Sequence, residues 1–123
     1  MGRGEILWCD LEPRHGHEQG AVRPVIVVSA DPYNESRSPM VAIVPLTRAV
    51  ARNPLHVALS VDETGLDTAS TALIDQARFI DRSRLRPEAA GRLSRSAQAR
   101  VDRNLARVLG LVAAPAQGDE PRR

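Results

Sequence analysis

The sequence contains no lysine, a single cysteine (Cys9) and three aromatic residues, Trp8, Tyr33 and Phe79. No apolar run approaches the ~20 residues that cross a bilayer. Each shortage removes a class of protein. One cysteine makes neither an internal disulfide nor a cysteine-based zinc site, so a reducing cytoplasm is the expected setting. The start, Met1-Gly2-Arg3-Gly4-Glu5, does not read as a signal peptide. Three aromatics are too few for a module that stacks every base of a single strand on a ring, as RRM and OB domains do. If this chain holds RNA, hydrogen bonds and charge must carry most of the contact.

What is present fits one domain. A chain of 123 residues, 42% hydrophobic and 26% charged, has material for one core and not two. The expected division is a domain over residues 1–112 and a disordered tail of Pro, Gly and charged residues over 113–123. All 17 basic residues are arginines, and they are unevenly spread. Residues 1–77 hold six arginines against ten acids, whereas residues 78–107 hold nine against three. A basic C-terminal third points to an anionic partner, nucleic acid first.

Alternation over residues 5–11 predicts a half-buried strand, followed by a polar loop with Gly16 and Gly20. Residues 22–29 are β-branched and nearly continuous, which predicts a core strand with Pro24 near its start. A second loop follows, then an apolar strand over 40–47 whose Pro45 suggests an edge or a bulge. Further strands are expected over 56–61 and 70–76, with a turn at Gly65 between them and a short helical turn over 81–85. One long helix is expected over about 96–110, capped by Ser94 or Ser96 and ended by Gly110. Its apolar stripe is Val101, Leu105, Val108, Leu109 and Val112. Short strands with a late helix imply a small, strongly bent β-barrel with one helix against it. So thin a core makes dimerisation a natural expectation.

The words Arg3-Gly-Glu-Ile-Leu-Trp8, Asp10-Leu-Glu-Pro13, Gly16-His-Glu-Gln-Gly20 and Arg23-Pro-Val-Ile-Val-Val-Ser29 resemble the MazF/PemK toxins. The resemblance continues through Val44-Pro-Leu-Thr47, Pro54-Leu-His-Val57, Thr64-Gly-Leu66, Asp75-Gln-Ala-Arg-Phe-Ile-Asp81, Arg92-Leu-Ser94 and Val101-Asp102. In order and spacing it covers roughly residues 3 to 111. It implies an SH3-like β-barrel, mainly β with a C-terminal helix, in the MazF/PemK/CcdB-like toxin fold. It also implies a homodimer that cleaves single-stranded RNA sequence-specifically without a metal, and a cognate antitoxin whose disordered C-terminal segment blocks the RNA groove.

Cleavage of this kind can use the substrate's own 2′-OH as nucleophile. The enzyme then assists loss of that proton, stabilises charge on the phosphate and assists departure of the 5′-oxygen. The resemblance assigns catalysis to Arg23 and Thr47, and in some members to the position of Glu18. Arg23 offers a fixed fork of donors for phosphate oxygens and Thr47 a hydroxyl. A guanidinium stays protonated, so base duty falls to Glu18 or His17. Read without the resemblance, Arg23 could equally form a structural ion pair with Asp10 or Asp75, Thr47 is an ordinary strand-end residue, and Glu18 a solvated loop acid.

The RNA-binding candidates are His17, Gln19, His56, Asp75, Gln76 and Arg78. Asp75, Gln76 and Arg78, on a predicted strand, interrupt an apolar run with polar groups, which marks either a solvated face or a recognition face. Gln and Arg can read base edges by paired hydrogen bonds, and the resemblance places this segment in the groove. Members resembling plasmid PemK carry an arginine two residues before this aspartate. Here that residue is Leu73, which favours a scheme built on Arg23 and Thr47. His15 and His17 are too few ligands for zinc, so neither a metal nor another cofactor is expected. Arg95, Arg100, Arg103 and Arg107 fall on the helix's wet face, where they serve solubility. Competing readings are a non-catalytic toxin of this shape that binds a protein target such as DNA gyrase, and a co-regulator binding operator DNA with its antitoxin. No membrane partner is expected.

Overall fold

The computed structural model describes residues 1–13, 15–18 and 21–112. The expected tail, 113–123, and Gln19 lie outside the described residues. Seven strands and three helices are described: β1 (Glu5–Asp10), β2 (Val22–Val27), α1 (Asp31–Asn34), β3 (Met40–Thr47), β4 (Val57–Leu59), α2 (Val61–Thr64), β5 (Ser70–Ala72), β6 (Arg78–Asp81), β7 (Leu85–Arg92) and α3 (Arg95–Val108). The strands run antiparallel in the order β4-β5-β3-β2-β1-β7, with β6 laid beside β3. The sheet is therefore mainly β with a C-terminal helix, as expected, but the path of strands does not close into a complete barrel: β4 and β7 are its two ends.

The continuous apolar runs of β1 to β3 follow from burial on both faces. Ile6, Ile26, Val44 and Leu46 point into a core shared with β4, β5 and the inner face of α3, where Ala97 and Val101 are buried. The alternate residues Leu7, Cys9, Val25, Val27, Val41 and Ile43 point the other way, into a second cluster closed by Leu11 and Ile80. Pro45 lies inside β3 rather than on an edge. Residues 40–43 of β3 pair with β6, and Leu46 and Thr47 pair with β5. Pro45 stands at the hand-over, where a missing N–H interrupts neither ladder, and its carbonyl accepts from the Leu73 N–H at 3.0 Å.

Several expected boundaries are corrected. The fifth strand stops at Ala72, and Ile74–Gln76 form a 3-10 turn before β6 begins. The fourth strand stops at Leu59 because Ser60 caps α2: it accepts from the Glu63 N–H, and Glu63 returns a bond to the Ser60 N–H. A 3-10 turn at Arg82–Arg84 occupies the expected helical turn. β7 was not expected at all. Ser94 caps α3 by accepting from Ala97 N, and the helix ends before Gly110, whose φ of +72° suits glycine. Its apolar stripe is buried only in part: Val101 is buried and Leu105 packs against the core, but Val108, Leu109 and Val112 are exposed.

Candidate functional site

β2 and β3 pair as Val25 with Pro45, Ile26 with Val44 and Val27 with Ile43. Carried two residues further, that register sets Arg23 beside Thr47. Both lie on the face whose apolar cluster has just ended, since Arg23 shares its side of β2 with Val25 and Thr47 its side of β3 with Ile43. Cys9 is the β1 partner of Arg23, and Thr71 the β5 partner of Thr47. The two leading catalytic candidates thus come from separate strands and meet at the rim of a core. Thr47 Oγ1 accepts from Ala49 N at 3.2 Å, which fixes the hydroxyl while leaving its proton to donate.

A cleft of about 240 Å³ opens here, lined by Arg23 and Thr47 together with Trp8, Arg48 and the loop residues Asp67 and Thr68. Trp8 is 39% exposed on its wall. Sequence reasoning missed Arg48, Asp67 and Thr68. Arg48 directly follows Thr47 and could have been suspected, whereas Asp67 and Thr68 reach the cleft only through the fold.

A second depression, about 130 Å³, holds Glu18, Pro45, Asp75, Gln76 and Arg78. Pro45 of this depression and Leu46 and Thr47 of the larger cleft are neighbours along β3. The loop carrying Glu18 is closed at its base by Leu11 N donating to Ala21 O at 3.0 Å. Arg84 braces it by donating to the carbonyls of Asp10 (3.3 Å) and Glu12 (2.6 Å). At its tip Glu18 Oε1 accepts from His15 N at 3.2 Å and lies 3.8 Å from Arg78 Nη1. Gln76 Nε2 donates to the His17 carbonyl at 3.2 Å. The loop and the 74–78 segment, 59 residues apart in sequence between His17 and Gln76, are thereby brought together.

His56 and Asp75 meet at 2.9 Å between Nε2 and Oδ1, tying the turn before β4 to the 3-10 turn. His56 thus joins the same constellation, as the partner that positions Asp75. His17 is exposed on the loop. Asp75 and Gln76 were expected on a strand. They stand on a turn, which lifts their polar groups out of the ladder and toward the depression. Of the apolar surroundings, buried Cys9 carries the clearest electrostatic signature: desolvation outweighs the nearby Arg84 and Arg78 and pushes its thiol up to about 11.

Comparison with known proteins gives a consistent picture. Residues 2–109 match the profile of the family described as PemK-like, MazF-like toxin of type II toxin-antitoxin system. The chain is 38% identical over 111 residues to Endoribonuclease MazF of Staphylococcus epidermidis, covering 89% of this chain and 91% of that protein. Its fold is similar to the crystal structure of MazF from Deinococcus radiodurans, with a TM-score of 0.76 and 31% identity, covering 89% of this chain and 96% of that one. It is also similar to the toxin in a MazE–MazF crystal structure from the same organism, with a TM-score of 0.72 and 29% identity over 91% and 97% of the two chains.

Proposed function

The chain belongs to the PemK-like, MazF-like toxin family, and from that premise we propose that it is an endoribonuclease cleaving single-stranded RNA sequence-specifically and without a metal. The observation that carries this reading is the convergence of Arg23 and Thr47 across β2 and β3 at the mouth of one cleft. A chain acting only by binding a protein target has no need of that pair there.

In the proposed reaction the 2′-OH of the nucleotide before the scissile bond attacks the adjacent phosphorus. Glu18, held by the His15 N–H and facing Arg78, accepts the hydroxyl proton. His17 on the same loop is the other candidate base. As the O2′–P bond forms, the fork of Arg23 and the hydroxyl of Thr47 stabilise the negative charge that builds on the phosphoryl oxygens. The P–O5′ bond breaks and the departing oxygen takes up a proton, leaving a 2′,3′-cyclic phosphate and a 5′-OH end. Gln76, Arg78 and Asp75, with Asp75 positioned by His56, present donors and acceptors for base edges in the adjoining depression. His17 extends the same contact set from the loop, and Gln19 is kept as a candidate on its sequence position alone.

The MazE–MazF structures of the Deinococcus protein support a cognate antitoxin as the partner. Its extended segment would cover this face and exclude RNA, with the toxin acting as a homodimer. Purified, antitoxin-free protein incubated with a long RNA of varied sequence in excess EDTA tests the reading. The expected result is fragments with 5′-OH ends from the wild type, and at least about a 100-fold loss of turnover in Arg23→Ala. No cleavage by folded wild-type protein refutes the general nuclease and redirects the search to a structured RNA or a protein target.

A further inference from the structure

Beyond the His56–Asp75 bridge lies a third hollow, about 200 Å³, lined by His56, Val57, Ala58, Arg100, Arg103 and Asn104. It belongs to none of the roles assigned so far. His56 is shared: its ring meets Asp75 of the recognition depression at 2.9 Å on one side, and it walls this hollow on the other. α3 is fastened to the hollow's floor. Asn104 Nδ2 donates to Leu55 O at 2.7 Å, and Arg100 Nη1 donates to Ala58 O at 3.0 Å.

The charges around the hollow are unequal in freedom. Arg100 is engaged by the Glu63 carboxylate, and Asp75 is engaged by His56. Asp102 is taken up by Arg3, which bonds it at 2.6 Å. Arg103 forms no ion pair or side-chain hydrogen bond among the described residues, and neither does Arg107 one turn further on. Positions 100, 103 and 107 fall on one face of the helix and span about 10 Å along its axis. A positively charged ledge on α3 therefore lies across the His56–Asp75 bridge from the candidate recognition depression.

We propose that this ledge is a phosphate subsite: Arg103, with Arg107 beyond it and His56 at the threshold, holds the backbone of the RNA strand as it leaves the cleft. The inference rests on the endoribonuclease reading and extends it, because sequence alone placed these arginines on a merely solvated face. RNA suits the ledge because it needs only a line of cations and no base-specific groups, and because the ledge continues the proposed substrate path. Contacts of this type add affinity and register without reading sequence.

The test uses the full chain and a long single-stranded transcript carrying its mapped cleavage site, with oligonucleotides cut back toward that site from either end. Arg103→Ala should raise KM on the long RNA by about threefold and Arg103→Glu by more, in the range of an exposed ion pair. The dependence of log(kcat/KM) on log[salt] should become shallower by about 0.7, the loss of one single-strand phosphate contact. Shortening the RNA on one side should bring the wild type down to the level of the variant. An unchanged KM and salt slope in Arg103→Ala overturns the subsite. So does a fall in affinity for the cognate antitoxin with RNA kinetics intact, which reassigns the ledge to the antitoxin. A shift in dimer dissociation in the same variant, with RNA kinetics intact, reassigns it to a subunit contact. If the wild type cleaves nothing, the underlying nuclease reading has failed, and that outcome is distinct from all three.

Discussion

Gly91 in β7 is expected to be among the least replaceable residues of this fold. It pairs with fully buried Ile6 of β1 and lies against the last turn of α2. A β-carbon placed on Gly91 would overlap the Thr64 carbonyl oxygen and sit 3.2 Å from the Thr64 carbonyl carbon and 3.6 Å from that of Gly65. These are main-chain atoms, so no side chain can swing aside. α2 cannot retreat freely either, because Ser94 N donates to Glu63 O at 2.8 Å and Arg100 holds the Glu63 side chain. On the other side, β7 is held by Leu93 N donating to Gly4 O at 2.9 Å. Overpacking of this kind costs about 1–3 kcal/mol, and the rigid surroundings place Gly91→Ala toward the top of that range. Alanine regains roughly 0.5–1 kcal/mol of backbone entropy in a strand, leaving a net loss of about 2 kcal/mol. For a domain of this size that corresponds to a fall in Tm of roughly 8 °C. Thermal and urea unfolding followed by circular dichroism measure it. Gly2→Ala, whose β-carbon meets nothing nearer than Asp31 Oδ1 at 3.7 Å, serves as the comparison and should stay within about 1 °C. Equal stability of Gly91→Ala and wild type would mean that α2 does not press on β7, and the account of how these elements lock together would be wrong.

Three further outcomes follow from the same geometry. Ser94→Ala removes the side chain that accepts from Ala97 N and should cost about 1 kcal/mol, read as a lower urea midpoint with unchanged slope. The Ser60 N–H and then the Arg100 guanidinium hold the Glu63 carboxyl below its ordinary value of 4.5. Its folded pKa is thus the lower one, so its stabilisation is complete above about pH 4.5 and drains away as pH falls through the folded value. Glu63→Gln should therefore flatten the acid limb of stability against pH, and an unaltered limb would count against this pairing. With the Cys9 thiol raised to about 11 by burial, a disulfide reagent at pH 8 should label the native protein slowly and the urea-unfolded protein at once. Rapid labelling of the native state would contradict the closed second core.

The parts of this protein legible in its sequence are those whose signals are local. β1 announces itself through alternation, β2 and β3 through apolar, largely β-branched runs, and α3 through its cap at Ser94 and the start of its stripe at Val101 and Leu105. Arg23, Thr47 and Glu18 could be singled out as residue types suited to phosphate chemistry. Their arrangement could not. Arg23 meets Thr47 only because β2 and β3 pair in one register, and Glu18 meets Arg78 only because a loop and a distant strand end are pinned together. β7 was invisible for a related reason: its pairing with β1 shifts register between Ile6 and Leu7 and again between Leu7 and Cys9, which destroys the two-residue rhythm that marks a strand. Asp75 and Gln76 looked like strand residues until the change of partner at Pro45 bent the chain into a turn. The chain's own chemistry settled which groups are available to act on a phosphate. Non-local strand pairing, which no stretch of sequence encodes by itself, decided which of them stand together and which arginines of α3 lie beside them.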